Sequence, residues 1–280
     1  MSSPGDSRIK FGKQYQGAPI SVMTRFNLYG LSVDGRNLHN EIVDNLPLDH
    51  GDHVVDIGCG DGEVLRRVSN RKVTALSLTG VEIDDELVGF LTDRHESDED
   101  KKISFVTGSA DLLPFDTNSV DVLLALFMLY HVPDINASLN EFHRVLKPEG
   151  TLAVATSGPD NKLKHRQFER EIAERLNIIP PPIFSQPFDT TKAEGFLSDL
   201  FTVDEVVTQK TYLRLVTSRD VIDYRLSLDT MRSEFDPIPE SRDWANVMAE
   251  IVLNPIIEQI AEYGYFADIV DRAYYLCTPK

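Results

Sequence analysis

Short apolar runs alternate with amphipathic stretches over roughly the first half of the chain. Ile103 to Thr107 and Val120 to Leu126 are too short for typical helices, and the second run is almost wholly apolar, which predicts a strand buried on both faces. Between such runs, apolar residues recur at helical spacing, as at Val64, Leu65 and Val68. The alternation predicts an α/β fold, a doubly wound parallel sheet with helices on both faces.

The first of these strands runs into a glycine-rich loop. Gly58, Gly60 and Gly62 allow a sharp turn and leave bare main chain against which a ligand can lie, and the following helix directs its amides to the same place. A dinucleotide fingerprint requires a third glycine at position 63, where the chain has Glu63. Asp56 disfavours a pyrophosphate and favours a cationic ligand, such as the sulfonium and ammonium groups of S-adenosylmethionine.

An acidic residue stands at the end of the second apolar run. The run Val73 to Val81 leads into Glu82, which lies 20 residues beyond Gly62. A carboxylate at this place can accept hydrogen bonds from both ribose hydroxyls of a nucleoside. The alternative is that Glu82 merely precedes a helix capped by Asp84. The adjacent glycine loop favours the ribose interpretation.

Two further segments complete a family pattern. Gly108 to Phe115 and Ser119 to Asp134, together with the glycine loop and Glu82, resemble the class I S-adenosylmethionine-dependent methyltransferases, in particular the small-molecule type 11 group. The resemblance covers about residues 38–158, including a helix over Ile135 to Leu146 and a strand over Thr151 to Thr156. One departure is Ser109, which replaces the acid that the family uses to hold the adenine; Asp111 or the Ala110 amide can substitute.

The resemblance implies a Rossmann-like seven-stranded sheet, mostly parallel with the last strand antiparallel, with helical N-terminal and lid additions. Phe201 to Thr208 and Asp271 to Thr278 are then the closing antiparallel pair. S-adenosyl-L-methionine is implied as co-substrate. The expected cofactor-binding residues are Asp56, Gly58, Cys59, Gly60, Glu82, Ile83, Ser109, Ala110, Asp111, Ala125, Leu126 and, in the N-terminal segment, Tyr15.

The expected organisation is a single catalytic core with two additions. Residues 1–37 form a tail and cap segment that either folds over the cofactor or covers a sheet edge, and residues 38–208 form the S-adenosylmethionine-binding core. Residues 209–269 read as a helical lid insertion, with an interruption at Asn254-Pro255, and residues 270–280 as the final strand. Most aromatic and Met positions of the insertion are expected in its own core.

Methyl transfer from a sulfonium needs alignment and exclusion of water, and a base only for some acceptors. His131 is the candidate base because it follows the fourth strand, although a structural role in the turn is the alternative. Tyr130 beside it is a candidate pocket residue. No metal is expected, because the spacing of Asp134, His131 and His143 matches no ligand pattern, and no Gly-x-Ser-x-Gly elbow suggests a hydrolase.

Composition narrows the function further. The net charge of −17 disfavours nucleic acid as a partner, and two cysteines give no disulfide framework. No leader and no long apolar stretch are seen, so a cytoplasmic protein with a small-molecule substrate and no membrane partner is expected. The predicted activity is methylation of a small molecule at O, N or C. The alternatives are a non-methylating displacement or cyclisation with the same cofactor, and a non-catalytic S-adenosylmethionine-binding module.

Overall fold

A computed structural model of the protein describes residues 31–96, 103–229, 232 and 235–280. In this part of the chain seven strands form one sheet. They are β1 (His53–Ile57), β2 (Ser77–Glu82), β3 (Ile103–Thr107), β4 (Val120–Leu126), β5 (Leu146–Ser157), β6 (Phe201–Leu215) and β7 (Phe266–Pro279). The strand order is β3-β2-β1-β4-β5-β7-β6, in which β1 to β5 are parallel and β7 is antiparallel to both of its neighbours. The predicted fold class is confirmed.

Helices cover both faces of this sheet, and further helices pack in a separate hydrophobic cluster. They are α1 (Leu38–Asn45), α2 (Glu63–Ser69), α3 (Asp85–Glu96), α4 (Ile135–Val145), α5 (Leu163–Leu176), α6 (Ala193–Leu197), α7 (Ser218–Asp229), α8 (Ser241–Val247) and α9 (Asn254–Tyr263). A hydrophobic core lies on each face of the sheet, and successive residues of a strand point into different cores. Val55 and Ile57 belong to one core, and Val54 belongs to the other. This two-sided burial explains why the parallel strands are almost wholly apolar.

The last two strands are longer than the sequence indicates. β6 and β7 pair from Phe201–Pro279 to Leu215–Phe266, with one register shift between Val203 and Glu205, whereas the expected strands end at Thr208 and begin at Asp271. The outer halves of both strands, residues 209–215 and 266–270, mix polar and apolar residues without regular alternation, so they carry only a weak strand signal. The helical part of the 209–269 insertion therefore lies between residues 218 and 263.

The helical insertion has its own hydrophobic core. Tyr224, Trp244 and Met248 are buried there with Phe168 and Ile172 of α5, as expected for most of its aromatic and Met positions. The predicted interruption at Asn254-Pro255 is wrong. A π-helical segment, Met248–Leu253, joins α8 directly to α9, and Pro255 falls in the first turn of α9, where a missing amide donor is tolerated.

The chain before α1 adds to the outer edge of the sheet. Val33 donates its amide to the Tyr212 carbonyl at 2.9 Å, and the Leu31 carbonyl accepts from the Arg214 amide at 3.0 Å. These bonds cover part of the edge of β6, which would otherwise expose unpaired backbone groups. The preceding residues, including Tyr15, lie outside the described part of the chain.

Candidate active site

The glycine loop turns as its sequence requires. Gly58, Gly60 and Gly62 have φ values of +68°, +57° and +74°, in the left-handed region that favours glycine. The amides of Gly58 and Cys59 both donate to the Val81 carbonyl, at 2.8 and 3.2 Å. The loop after β1 is thereby fastened to the end of β2, so the two predicted halves of the cofactor site are adjacent.

Gly58 and Gly60 differ in the space around their Cα atoms. A Cβ on Gly60 would meet no heavy atom of the described residues within 4 Å, so this backbone faces open space. A Cβ on Gly58 would lie 3.1 Å from the Met128 Cβ. Gly60 is thus the place where a ligand can approach the main chain, whereas Gly58 accommodates the chain that follows β4.

The Glu82 carboxylate contacts the glycine loop and the residue that follows β2. Its Oε2 accepts from the Gly60 amide at 3.2 Å, and its Oε1 accepts from the Ile83 amide at 2.8 Å. Asp84 separately caps α3, since its Oδ1 accepts from the amides of Glu86 and Leu87 at 2.9 and 3.2 Å. The helix cap therefore belongs to Asp84, and the Glu82 carboxylate is directed to the glycine loop.

Three carboxyl groups share this end of the sheet. Asp56 is 2% exposed, and its pKa is raised well above its usual value, chiefly by burial and then by the negative charges of Glu82 and Asp61. Burial also raises the pKa values of Glu82 and Asp61. The pKa of the Cys59 thiol is raised well above its usual value by burial and by these carboxylates. A cationic ligand would relieve this repulsion, and a pyrophosphate would increase it.

The segment after β3 carries the substituted adenine position. Ser109 donates its hydroxyl to the Asp111 carboxylate, and Ala110 is buried. Asp111 is therefore held beside the residue that replaces the family acid. Sequence reasoning missed Glu141 of α4, whose Oε1 accepts from the Leu113 amide at 2.7 Å and fixes this loop.

The chain turns sharply where β4 ends. Ala125 is buried, Leu126 is half-buried, and Phe127 has a left-handed φ of +57°. A 3₁₀ turn, Leu129–His131, follows, with the His131 amide donating to the Met128 carbonyl at 2.8 Å. Sequence reasoning also missed Phe127 and Met128, because a left-handed phenylalanine leaves no signal in the pattern of apolar positions.

The half-buried His131 lies among aromatic rings. Its ring centroid is 4.5 Å from that of Tyr130 and 5.8 Å from that of Phe184. Phe184 belongs to a Pro-rich connector, residues 179–184, which follows α5 and reaches the turn after β4. Asp134 caps α4 by accepting from the Ala137 amide at 2.9 Å. That bond gives Asp134 a structural role.

The strand order brings the predicted residues to one edge. β3, β2, β1 and β4 are consecutive neighbours, and the predicted residues follow or end these strands. Their residues at this edge are Asp56, Gly58, Cys59, Gly60, Glu82, Ile83, Ser109, Ala110, Asp111, Ala125 and Leu126. The described residues contain no group of three or more His, Cys, Asp or Glu side chains that could hold a metal ion.

The glycine loop, a buried acidic cluster and the acid at the end of β2 lie together at this edge of the sheet. The "Methyltransferase domain" family model matches residues 55–154, which contain this site. A curated relative, the 2-phytyl-1,4-naphtoquinone methyltransferase of Nostoc sp., is 31% identical over 167 residues, covering 54% of this chain and 73% of the relative. The chain belongs to the class I S-adenosylmethionine-dependent methyltransferases, with S-adenosylmethionine as co-substrate.

A second curated relative and a solved structure are also similar to this chain. The 27-O-demethylrifamycin SV methyltransferase of Amycolatopsis mediterranei is 36% identical over 118 residues, 42% of this chain and 43% of that protein. The chain thus spans less than half the length of this relative. A putative methyltransferase from Bacillus halodurans has the same fold, with a TM-score of 0.58 at 14% identity over 86% of this chain and 97% of that chain. No helix within the described residues is long and apolar enough to cross a membrane.

Proposed function

We propose that this methyltransferase acts on a small acceptor that presents an aromatic or quinone-like ring. The observation that carries the proposal is the set of rings at the end of β4, where Tyr130 and Phe184 flank His131. Flat aromatic surfaces favour a flat ligand in offset or edge-to-face contact. The names of the naphthoquinone and rifamycin relatives are in keeping with a ring-bearing acceptor.

The cofactor is proposed to lie across the ends of β1, β2 and β4. Glu82 would accept the ribose hydroxyls, and the segment Ser109–Asp111 would hold the adenine. The carboxyl groups of Asp56 and Asp61 would face the cationic part of the cofactor. Burial disfavours their charged forms in the unliganded protein, and a cation beside them would favour these forms again. The sulfonium of S-adenosylmethionine supplies an activated methyl group.

The remaining residues orient the acceptor and exclude water. Displacement at a methyl carbon needs an attacking atom in line with the leaving sulfur, so alignment accounts for much of the rate. Helices α7 to α9 and the Pro-rich connector are proposed to act as the lid. His131 is the proposed general base, taking the proton of an acceptor hydroxyl as the new bond forms. An acceptor that ionises by itself at higher pH no longer needs this base.

The first experiment asks which reaction occurs. Small molecules retained by the purified protein are identified by mass spectrometry, and they and 1,4-dihydroxynaphthalene are incubated with methyl-labelled S-adenosylmethionine. We expect label in the acceptor and S-adenosylhomocysteine as co-product. Methylthioadenosine would instead indicate attack on the aminobutyryl carbon. Cofactor binding without turnover of any acceptor would indicate a binding module.

The second experiment tests His131 with a matched control. His143 also contacts an aromatic ring, that of Phe201 at 5.7 Å, but it lies in the last turn of α4 and not in the turn after β4. We expect His131→Ala to lower turnover about 10²–10⁴-fold at neutral pH, with partial recovery as pH rises, and His143→Ala to have little effect. A loss of less than tenfold at every pH would make His131 a structural residue.

The proposal also includes a cytoplasmic place of action and no nucleic-acid partner. A protein that binds phosphate backbones needs a basic surface that releases counterions. Here 45 acidic residues outnumber 28 basic ones. Binding to duplex DNA at 50 mM salt, measured by fluorescence anisotropy, is expected to be undetectable.

A further inference from the structure

Arg272 is a buried cation close to the end of β4. It lies in β7, is 1% exposed, and pairs across the sheet with Ser157, the last residue of β5. Its Nη2 donates to the Gln209 Oε1 at 2.7 Å, and its guanidinium carbon is 5.9 Å from the centroid of the Phe127 ring. That separation is within the range of a cation–π contact. The guanidinium therefore reaches from the outer half of the sheet to the first residue after β4.

The conformation of Phe127 determines where the following turn goes. Its left-handed φ of +57° is uncommon for a residue with a bulky side chain. Its amide is fixed by donation to the Ala155 carbonyl at 2.8 Å. The next residue, Met128, packs against Gly58 of the glycine loop, and its carbonyl accepts from the His131 amide. A change at Phe127 would therefore redirect both of these contacts.

The Phe127 ring is close to two buried side chains. The His39 ring of α1 lies 5.3 Å from it, centroid to centroid, and the Arg272 guanidinium lies at 5.9 Å. The pKa of His39 is lowered to about 3, first by burial and then by the positive charge of Arg272, so His39 is neutral beside this cation. The half-buried ring thus contacts both a neutral imidazole and a guanidinium cation.

Gln209 connects the same guanidinium to the chain before α1. Its Nε2 lies 3.2 Å from the Asp34 Oδ1 and 3.3 Å from the Arg36 carbonyl. These residues directly precede α1, which carries His39. Arg272, Gln209, the 34–36 segment, His39 and Phe127 thus form a closed set of contacts around the end of β4.

We infer that Arg272 is a positioning residue of the methyl-transfer site, which acts by holding Phe127 in its left-handed conformation. The turn that carries Met128 and His131 is then directed at the glycine loop and at the acceptor. The inference rests on the proposed function only in placing the acceptor at this turn. A planar guanidinium covers a ring face better than an ammonium does, so lysine cannot replace it.

The test compares exchange rates at two amides in two backgrounds. Arg272→Lys retains the charge and is expected to raise hydrogen-exchange rates of the Phe127 and His131 amides at least fivefold, as measured by NMR, without changing those of β1. Glycine adopts the left-handed conformation unaided. In a Phe127→Gly background, Arg272→Lys is therefore expected to change the His131 rate less than twofold. Such non-additivity shows that Arg272 acts through Phe127.

Arg214→Lys is the matched control, because the Arg214 guanidinium also covers a ring, that of Tyr265 at 5.0 Å, but is exposed. It should leave the exchange of both amides unchanged. An effect of Arg272→Lys below twofold, or an equal effect in both backgrounds, would overturn the inference. Calorimetric binding of S-adenosylhomocysteine by the wild-type protein is a separate readout: its absence would refute the cofactor site, whereas the exchange rates test the role of Arg272.

Discussion

Glu82→Gln tests the ribose contact most selectively, because the replacement has nearly the same shape but only one acceptor oxygen. In the protein, one carboxylate oxygen accepts from the Gly60 amide and the other from the Ile83 amide. Both oxygens retain lone pairs for a second donor, so the carboxylate can also accept two ribose hydroxyls. The glutamine loses the negative charge and one of the two acceptors.

The expected loss follows from the number of bonds. A hydrogen bond to a charged group contributes about 1.5–3 kcal/mol, so losing one such bond and weakening the other costs about 2–4 kcal/mol. This corresponds to an increase of about 30- to 1000-fold in the dissociation constant of S-adenosylhomocysteine. The stability of the unliganded fold should change little, because two effects oppose each other. One backbone amide loses its acceptor, at a cost of about 1–3 kcal/mol, and the glutamine removes a charge that burial disfavours.

Isothermal titration calorimetry measures the affinity, and thermal unfolding measures the stability of the unliganded protein. Glu63→Gln is the control: Glu63 is also next to the glycine loop, but it forms ion pairs with Arg66 and Arg67 on the surface of α2. Such pairs contribute about 0–1 kcal/mol, so cofactor affinity should be nearly unchanged. An increase of less than threefold for Glu82→Gln, or an equal increase for Glu63→Gln, would refute the assignment of Glu82.

Three further predictions concern the loop, the buried acid and the insertion. Gly60→Val should fold yet bind S-adenosylhomocysteine poorly, since a side chain at φ +57° is strained and enters the open space beside the loop; calorimetry showing wild-type affinity would contradict this. Asp56→Asn should raise the Tm of the unliganded protein near pH 7.5. A carboxyl group whose pKa is higher in the folded state destabilises the fold as pH rises from the unfolded pKa through the folded pKa, so the gain in Tm should shrink toward pH 4. A lower Tm of the variant at pH 7.5 would contradict the prediction. Substitutions on the inward face of the 218–263 helices should alter the KM for the acceptor and leave cofactor affinity within about threefold; equal changes in both would argue against a lid.

The fold was predictable from the sequence wherever burial is two-sided. The boundaries of β4 agree with its apolar run, because both faces of this strand are covered. Those of β3 also agree, although β3 is an edge strand in which Ser104 and Thr107 are exposed. The second strand begins at Ser77 instead of Val73, and Ala75 before it has a left-handed φ of 62°. The expected strand Thr151 to Thr156 is part of a longer strand, β5, which begins at Leu146. The pairing of β5 with β4 shifts in register between Val120 and Val122. Pattern alone does not reveal such irregularities.

The residues of the candidate site were also predictable only in part. The glycine loop and Glu82 are local features, in which spacing along one strand–loop–helix unit determines geometry, so the sequence identified them. Phe127 and Arg272 are separated by 145 positions and meet only because β7 inserts between β5 and β6. The Arg272–Gln209 bond likewise depends on the register of the two longest strands. Contacts of this kind follow from tertiary structure and leave no periodicity in the chain.

The central claim is that the edge formed by β1, β2 and β4 binds S-adenosylmethionine. A thermal-shift measurement with S-adenosylmethionine, S-adenosylhomocysteine and NAD tests this claim most directly. At 100 times its dissociation constant a ligand adds about 2.7 kcal/mol to the free energy of unfolding. For a domain near this size the Tm should rise by roughly 5–10 °C with S-adenosylmethionine and with S-adenosylhomocysteine. NAD should give no shift, because its pyrophosphate would meet the carboxylates of Asp56, Asp61 and Glu82. If neither S-adenosylmethionine nor S-adenosylhomocysteine raises the Tm, or if NAD raises it equally, the claim is contradicted.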